Sequence, residues 1–265
     1  MGLLTGKTGL IIGVANERSY AWHIAKALSE NGATCAFTHL PGEKNERRTR
    51  RALEALNLQD SWCFPLEASS DEQIDAAFAA YAEKYDKMNF LIHSIAFADR
   101  EYLQHGKFIT TPRSAYLSAI DISAYTLLGF ARRAHPIMQR SGGGSILCMS
   151  YYGAEKVVPG YNVMGVAKSA LESTARYLAA ELGADKIRVN SISPGNTYFE
   201  GGVWHWIEGN LPDLYGKAMA LNPTGRMATP QEVARGIVFL ASPASGFTTG
   251  TNLVIDGALT RGVQF

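Results

Sequence analysis

The feature that most constrains this chain is an alternation of short, continuously apolar runs with longer segments whose apolar residues recur at helical spacing. The runs are Gly9 to Val14, Thr34 to His39, Ser61 to Leu66, Asn89 to Ile95, Ser145 to Ser150, Arg188 to Ile192 and Asn252 to Ile255. A strand with one wet face alternates apolar and polar residues, so unbroken runs indicate strands buried on both faces. Between them Ala21, Ile24, Ala25 and Leu28 follow the i, i+3, i+4, i+7 rule, and Asn31-Gly32 supplies a helix stop. Ile74, Ala77, Phe78 and Tyr81 repeat the pattern, as do Leu171, Ala175, Leu178 and Ala179. Parallel strands joined by right-handed helical crossovers satisfy this order. The expected fold class is α/β, a doubly wound parallel seven-stranded sheet with helices on both faces.

Composition removes other classes. Hydrophobic residues make up 46% and charged residues 18%, and 25 Lys plus Arg nearly balance 24 Asp plus Glu, which excludes a disordered chain and a phosphate-driven nucleic-acid binder. The longest uncharged stretch, Gly236 to Ile255, contains Pro243 and a Ser/Thr cluster, so no membrane helix is expected. The N-terminus runs into the first strand without a signal-peptide pattern, and the mature protein is expected to begin near Met1. Cys35, Cys63 and Cys148 are scattered through apolar runs, which fits reduced thiols in a cytoplasmic protein and offers no metal site. No linker or repeat interrupts residues 1–265, so a single domain is expected.

Ligands of such sheets bind where the strands end, which directs attention to the connecting loops. In the first, Gly13 to Ala21, a helix opening near Ser19 aims free amides at an anion, although a plain strand-helix connection has the same spacing. The second strand ends at His39-Leu40 with no acid for a ribose hydroxyl; Lys44, Arg47 and Arg48 beyond it suit either a 2′-phosphate or a solvated helix face. NADH and NADPH both remain open. In the fifth loop, a helix from about Tyr161 places Lys168 two turns along on nearly the same face, at about 3.6 residues per turn. A neutral phenol there can donate to an oxygen gaining charge, with the ammonium beside it, but the spacing also fits two residues that merely pack.

Taken together, Gly13 to Ser19, His93 to Ala98, Asp121 to Tyr125, Tyr151 to Lys168 and Arg188 to Ser193 resemble the short-chain dehydrogenase/reductase superfamily, and within it the bacterial enoyl-acyl-carrier-protein reductases. The resemblance spans about residues 4 to 193. Ordinary superfamily members carry a catalytic tyrosine four residues before the lysine, where this chain has Met164, and a serine thirteen residues before that tyrosine, where it has Tyr151. Enoyl reductases instead carry Tyr-x6-Lys with a second tyrosine upstream, matching Tyr161, Lys168 and Tyr151.

The resemblance implies a single-domain Rossmann-type fold that reduces the 2,3 double bond of an enoyl thioester, carried on acyl carrier protein, with NADH or NADPH in fatty acid biosynthesis. It implies Tyr161, Lys168 and Tyr151 as catalytic residues. It places Gly13, Ser19 and Tyr20 on the pyrophosphate, Leu40 beside the adenosine, Glu67 on the adenine through its carboxylate, and Ser94, Ile95 and Ala96 at the nicotinamide ribose. Lys168 would hold that ribose, and Pro194 and Thr197 border the cofactor in the loop after the sixth strand. Glycine is commoner in the family where Ala96 stands. From Ser193 to Glu232 the chain looks closer to ordinary short-chain ketone and alcohol dehydrogenases, so a carbonyl reductase acting on, for example, a 3-oxoacyl group is the alternative. A dinucleotide-binding regulator without turnover is a third reading. The segment at about 196–222, with Trp204, Trp206, Ile207, Leu211, Leu214 and Tyr215, is expected to close over substrate. A homotetramer is expected from the family resemblance, the apolar run Asn252 to Ile255 and the tail Gly262-Val263-Gln264-Phe265.

Overall fold

The computed structural model describes residues 2–262. Strands β1 (Thr8–Ile12), β2 (Thr34–His39), β3 (Cys63–Pro65), β4 (Phe90–His93), β5 (Gly144–Met149), β6 (Ile187–Pro194) and β7 (Asn252–Ile255) form one sheet in the order β3-β2-β1-β4-β5-β6-β7. Every neighbouring pair is parallel. The helices are α1 (Tyr20–Glu30), α2 (Glu43–Glu54), α3 (Asp71–Lys84), α4 (Arg113–Ile120), α5 (Thr126–Arg140), α6 (Asn162–Leu182), α7 (Val203–Asn210), α8 (Pro212–Leu221) and α9 (Pro230–Ala241).

The continuity of the apolar runs follows from having a core on each side of the sheet. Leu10 and Ile12 pack with Phe78, Tyr81, Phe130 and Leu171 on one face, while Ile11 between them packs with Ile24, Leu28, Phe37, Val233 and Ile237 on the other. Phe37, Phe90 and Phe130 are fully buried, each contributing about 1.5–3 kcal/mol relative to an exposed side chain. Asn31 caps α1 at its C-terminus, and Gly32 follows at φ +89°, the left-handed turn that favours glycine.

The chain moves outward from β1 to β3, then crosses back to lay β4 on the other side of β1, pairing Ile12 with His93. The connection leaving β1 leads toward β2 and the one leaving β4 toward β5, so the two run apart along the sheet, the switch point at which such folds bind ligands.

The structure departs from the expected boundaries in places. β3 is three residues long, shorter than Ser61 to Leu66, because it is an edge strand pairing only with β2 and ends at Pro65, which cannot donate to the ladder. β6 extends to Pro194 because β7 pairs with it as far as Ile255. Residues Asp121–Tyr125 form a π-helical turn between α4 and α5. In that turn Ser123 Oγ accepts from Phe97 N at 3.0 Å and donates to Phe97 O at 3.1 Å, fixing the loop that follows β4. All four residues of β7 are half-buried on an open sheet edge. Of the apolar tail, Val263 to Phe265 lie outside the described residues.

Candidate active site

The first loop is shaped by close approach. Gly13 has φ +118°, and a Cβ there would lie 2.2 Å from Ser94 O, so only glycine lets the end of β1 pass against the end of β4. Ser19 occupies the N-cap position of α1, but its side chain does not cap the helix; Ser19 Oγ donates instead to Asn16 O at 2.7 Å. With no acid in the first turn either, the free amides of α1 remain available to an outside anion. That matches what a dinucleotide pyrophosphate requires. Gly13→Ala is expected to weaken cofactor binding at least tenfold, measured by titration of nicotinamide fluorescence, because the strained backbone, at about 1–3 kcal/mol, and the clash both displace this loop.

The other loops arrange themselves less evenly. Leu40 is 56% exposed beyond β2, and His39 Nδ1 donates to its carbonyl at 2.8 Å. Lys44, Arg47 and Arg48 lie exposed on α2. The carboxylate of Glu67 accepts from Ser69 N and Ser69 Oγ, at 3.3 and 3.1 Å, a local turn in place of the free carboxylate expected for an adenine contact. Ser94 donates its amide to Ile12 O at 3.0 Å and is half-buried with Ile95, whereas Ala96 is exposed.

The tyrosine pair and the lysine are each attached to the end of β5, Tyr151 following it in the chain and Lys168 bonding Met149 O. Tyr161 is the N-cap of α6, and its ring lies edge-to-face with Tyr151, centroids 4.8 Å apart. Gly153 makes room: a Cβ there would fall 2.4 Å from the Tyr161 ring. Burial, reinforced by Tyr151 and Tyr20, pushes the Tyr161 phenol up, and burial does the same to Tyr151, so both stay neutral and able to donate. Tyr20, the first residue of α1, is pushed up to about 12 by burial, which outweighs the opposing influence of Thr197. Thr197 is buried, its Oγ1 donating to Gly195 O at 3.0 Å, and Pro194 is buried at the end of β6.

Lys168 is 5% exposed, and its Nζ donates to Met149 O at 2.7 Å. Burial pulls its pKa down to about 8, against the opposing influence of Cys148 and Glu172. Met164, at the position four residues before it, is buried at 6% exposure. Sequence reasoning overlooked Ser150, Glu172, His93 and Asn252 around this lysine. Only Glu172 left a signal, as a lone charge on the otherwise apolar stripe Leu171, Ala175, Leu178 and Ala179.

With this geometry in place, the chain can be compared with known proteins. A family model described as Enoyl-(Acyl carrier protein) reductase matches residues 13–260. The chain belongs to that family. Its match runs through the segment beyond residue 193, where the sequence looks closer to ordinary short-chain dehydrogenases. The enoyl-[acyl-carrier-protein] reductase [NADH] FabI of Synechocystis sp. is 40% identical over 257 residues, 96% of each chain. Among solved structures, the Bacillus cereus enoyl-acyl carrier protein reductase with NADP+ and indole naphthyridinone superposes with a TM-score of 0.90 at 39% identity, over 99% of this chain and 100% of that one. The Anaplasma phagocytophilum enzyme in complex with NAD gives 0.88 at 36%, over 99% and 95%.

In this member of the enoyl reductase family the segment at about 196–222 carries two aromatic groups. Phe199 packs edge-on against Tyr20 and His23 of α1, at 6.4 and 5.7 Å between centroids. Tyr198 meets His205 and Tyr215, both at 6.1 Å. The segment is therefore two short helices, α7 and α8, pinned at their entry onto the first loop's helix.

Proposed function

We propose that the chain reduces the carbon–carbon double bond of a 2-enoyl thioester, presented on acyl carrier protein, with NADH or NADPH. The observation that carries this reading is the packed Tyr151–Tyr161 pair together with buried Lys168 bonded to Met149 O, and with buried Met164 at the position where a ketone reductase would need its tyrosine. When bound, dihydronicotinamide would supply the hydride to the β-carbon, and protonation of the resulting enolate at the α-carbon would complete the reduction. Tyr161, held neutral by burial, donates a hydrogen bond to the thioester oxygen as enolate charge develops, and Tyr151 shapes the pocket beside it. Lys168 holds the nicotinamide ribose and keeps positive charge close to that oxygen. Gly13, Ser19 and the amide of Tyr20 hold the pyrophosphate; Leu40 and Glu67 flank the adenosine; Ser94, Ile95, Ala96, Pro194 and Thr197 border the nicotinamide. The local turn of Glu67 must open for its carboxylate to reach a base, so Glu67 contributes least. Incubation with either cofactor and crotonyl or acetoacetyl thioester, followed by nicotinamide absorbance, tests the reading: oxidation with the crotonyl substrate supports it, and oxidation with acetoacetyl alone overturns it.

The α7–α8 segment, within about 196–222 of a single domain, is assigned as the substrate lid, supported by its aromatic attachment to α1 beside the first loop. Cofactor and enoyl thioester together are expected to slow proteolytic cleavage between residues 203 and 221 several-fold, and an unchanged rate would remove the lid assignment. A homotetramer in the cytoplasm is the expected setting, supported by the half-buried open edge of β7 and by the free thiols Cys35, Cys63 and Cys148. Among the described residues no helix is long and apolar enough to cross a membrane. Light scattering at micromolar concentration reads the assembly, a monomer counting against it.

A further inference from the structure

Glu172 lies four residues after Lys168 on α6 and is only 6% exposed. A carboxylate is costly to bury unless its oxygens are satisfied. Here Glu172 Oε1 accepts from Ser150 Oγ and, at 3.1 Å, from Asn252 Nδ2. Ser150 directly follows β5, and its amide donates to Ile192 O at 2.7 Å. The carboxylate therefore ties α6, the end of β5 and β7 together. The residues flanking Ser150 are Met149, whose carbonyl takes the Lys168 ammonium, and Tyr151, whose ring packs against Tyr161.

The charge around Lys168 is sparse. The titratable groups facing it are His93 from β4, Cys148 from β5 and Glu172 from its own helix. Burial pulls His93 down to about 3 and pushes the Cys148 thiol up to about 12, so both are neutral near pH 7. Around Glu172 stand Lys168, Arg176 and Glu155. Glu172 is thus the group able to supply negative charge directly to the buried ammonium, although the two do not touch.

We propose that Glu172 is a positioning residue for this site: its carboxylate anchors the β5 terminus that carries Met149 and Tyr151, and it stands one helical turn from Lys168 on α6 as an acidic neighbour of that buried side chain. This rests on the enoyl reduction reading for its consequence in turnover, but not for its effect on cofactor binding. Burial of Glu172 raises its own pKa, and the donors from Ser150 and the nearby Arg176 and Lys168 oppose that rise.

The test is NADH affinity, by fluorescence titration from about pH 6 to about pH 9, for the wild type, Glu172→Gln and Glu172→Asp. An ammonium is present below its pKa, so wild-type affinity should weaken as pH rises through about 8. Glu172→Gln keeps an acceptor for Ser150 and Asn252 and removes the charge. It should bind within about threefold of wild type near pH 6 and show its midpoint displaced downward. Glu172→Asp should keep the wild-type midpoint. The pH profile of enoyl thioester turnover should shift in the same way. A Glu172→Gln midpoint coincident with wild type, or an Asp variant displaced as far as the Gln variant, overturns the proposal. Should Glu172→Gln fail to fold, Ser150→Ala combined with Glu172→Leu removes donor and acceptor together and must show the same displacement. Cofactor binding with the expected pH dependence but no enoyl reduction would refute the activity alone; reduction with an unmoved midpoint would refute the role of Glu172 alone.

Discussion

Replacing Tyr161 with phenylalanine is expected to lower turnover of an enoyl thioester by about a hundred- to a thousandfold, corresponding to about 2.7–4 kcal/mol for one preorganised donor aimed at a developing oxyanion. The phenol is neutral because it is buried beside Tyr151 and Tyr20, so the hydroxyl proton is present throughout the working pH range. Removing it leaves the ring, its edge-to-face contact with Tyr151 and its seat over Gly153. Cofactor affinity should therefore change little, and thermal stability should stay close to wild type. Tyr151→Phe should cost much less, because Tyr151 shapes the pocket and does not donate to the reacting oxygen in this reading. The two variants are compared on crotonyl and acetoacetyl thioesters. A larger loss from Tyr151→Phe, with activity only on the keto substrate, would replace the enoyl reductase reading with a carbonyl reductase.

Lys168→Ala should weaken cofactor binding and slow turnover together. A hydrogen bond from a charged group contributes about 1.5–3 kcal/mol, so loss of the ribose contact corresponds to roughly ten- to a hundredfold or more in cofactor affinity. Turnover falls further because the positive charge near the enolate oxygen is removed as well. The pH dependence separates the causes. Burial lowers the lysine to about 8, so the wild type should lose affinity as pH rises through that value, whereas Lys168→Ala should bind weakly and without that transition. Unchanged affinity with reduced turnover would show that the ammonium serves the reaction and not the ribose.

The sheet and the nearness of Tyr161 and Lys168 along one chain segment were legible for the same reason: both are written in short-range spacing. Residues Leu10, Ile11 and Ile12 can all be apolar only if both faces of β1 are covered, which the two cores confirm. Lys168 lies on α6 and Tyr161 is its N-cap, so their sequence spacing keeps them near one end of that helix wherever it is placed. The absence of a tyrosine at Met164 was equally local information. Other local signals acquire local partners in the structure. Ser19 has the residue type of an N-cap and stands at that position, yet its hydroxyl turns back to Asn16. Glu67 has the acid that an adenine contact would use, yet Ser69 takes it into a turn.

What the amino-acid order could not disclose are the pairings between segments far apart in the chain. Strand order, the approach of Gly13 to Ser94, the packing of Phe199 on Tyr20 and His23 and the joining of Ser150, Glu172 and Asn252 all depend on how the crossovers return each strand to the sheet. Periodicity specifies which face of an element is apolar, because that depends on neighbours three or four residues away. It carries no information about which buried polar group waits on the opposite element, since hydrogen-bond partners are matched in space only after the hydrophobic faces have packed.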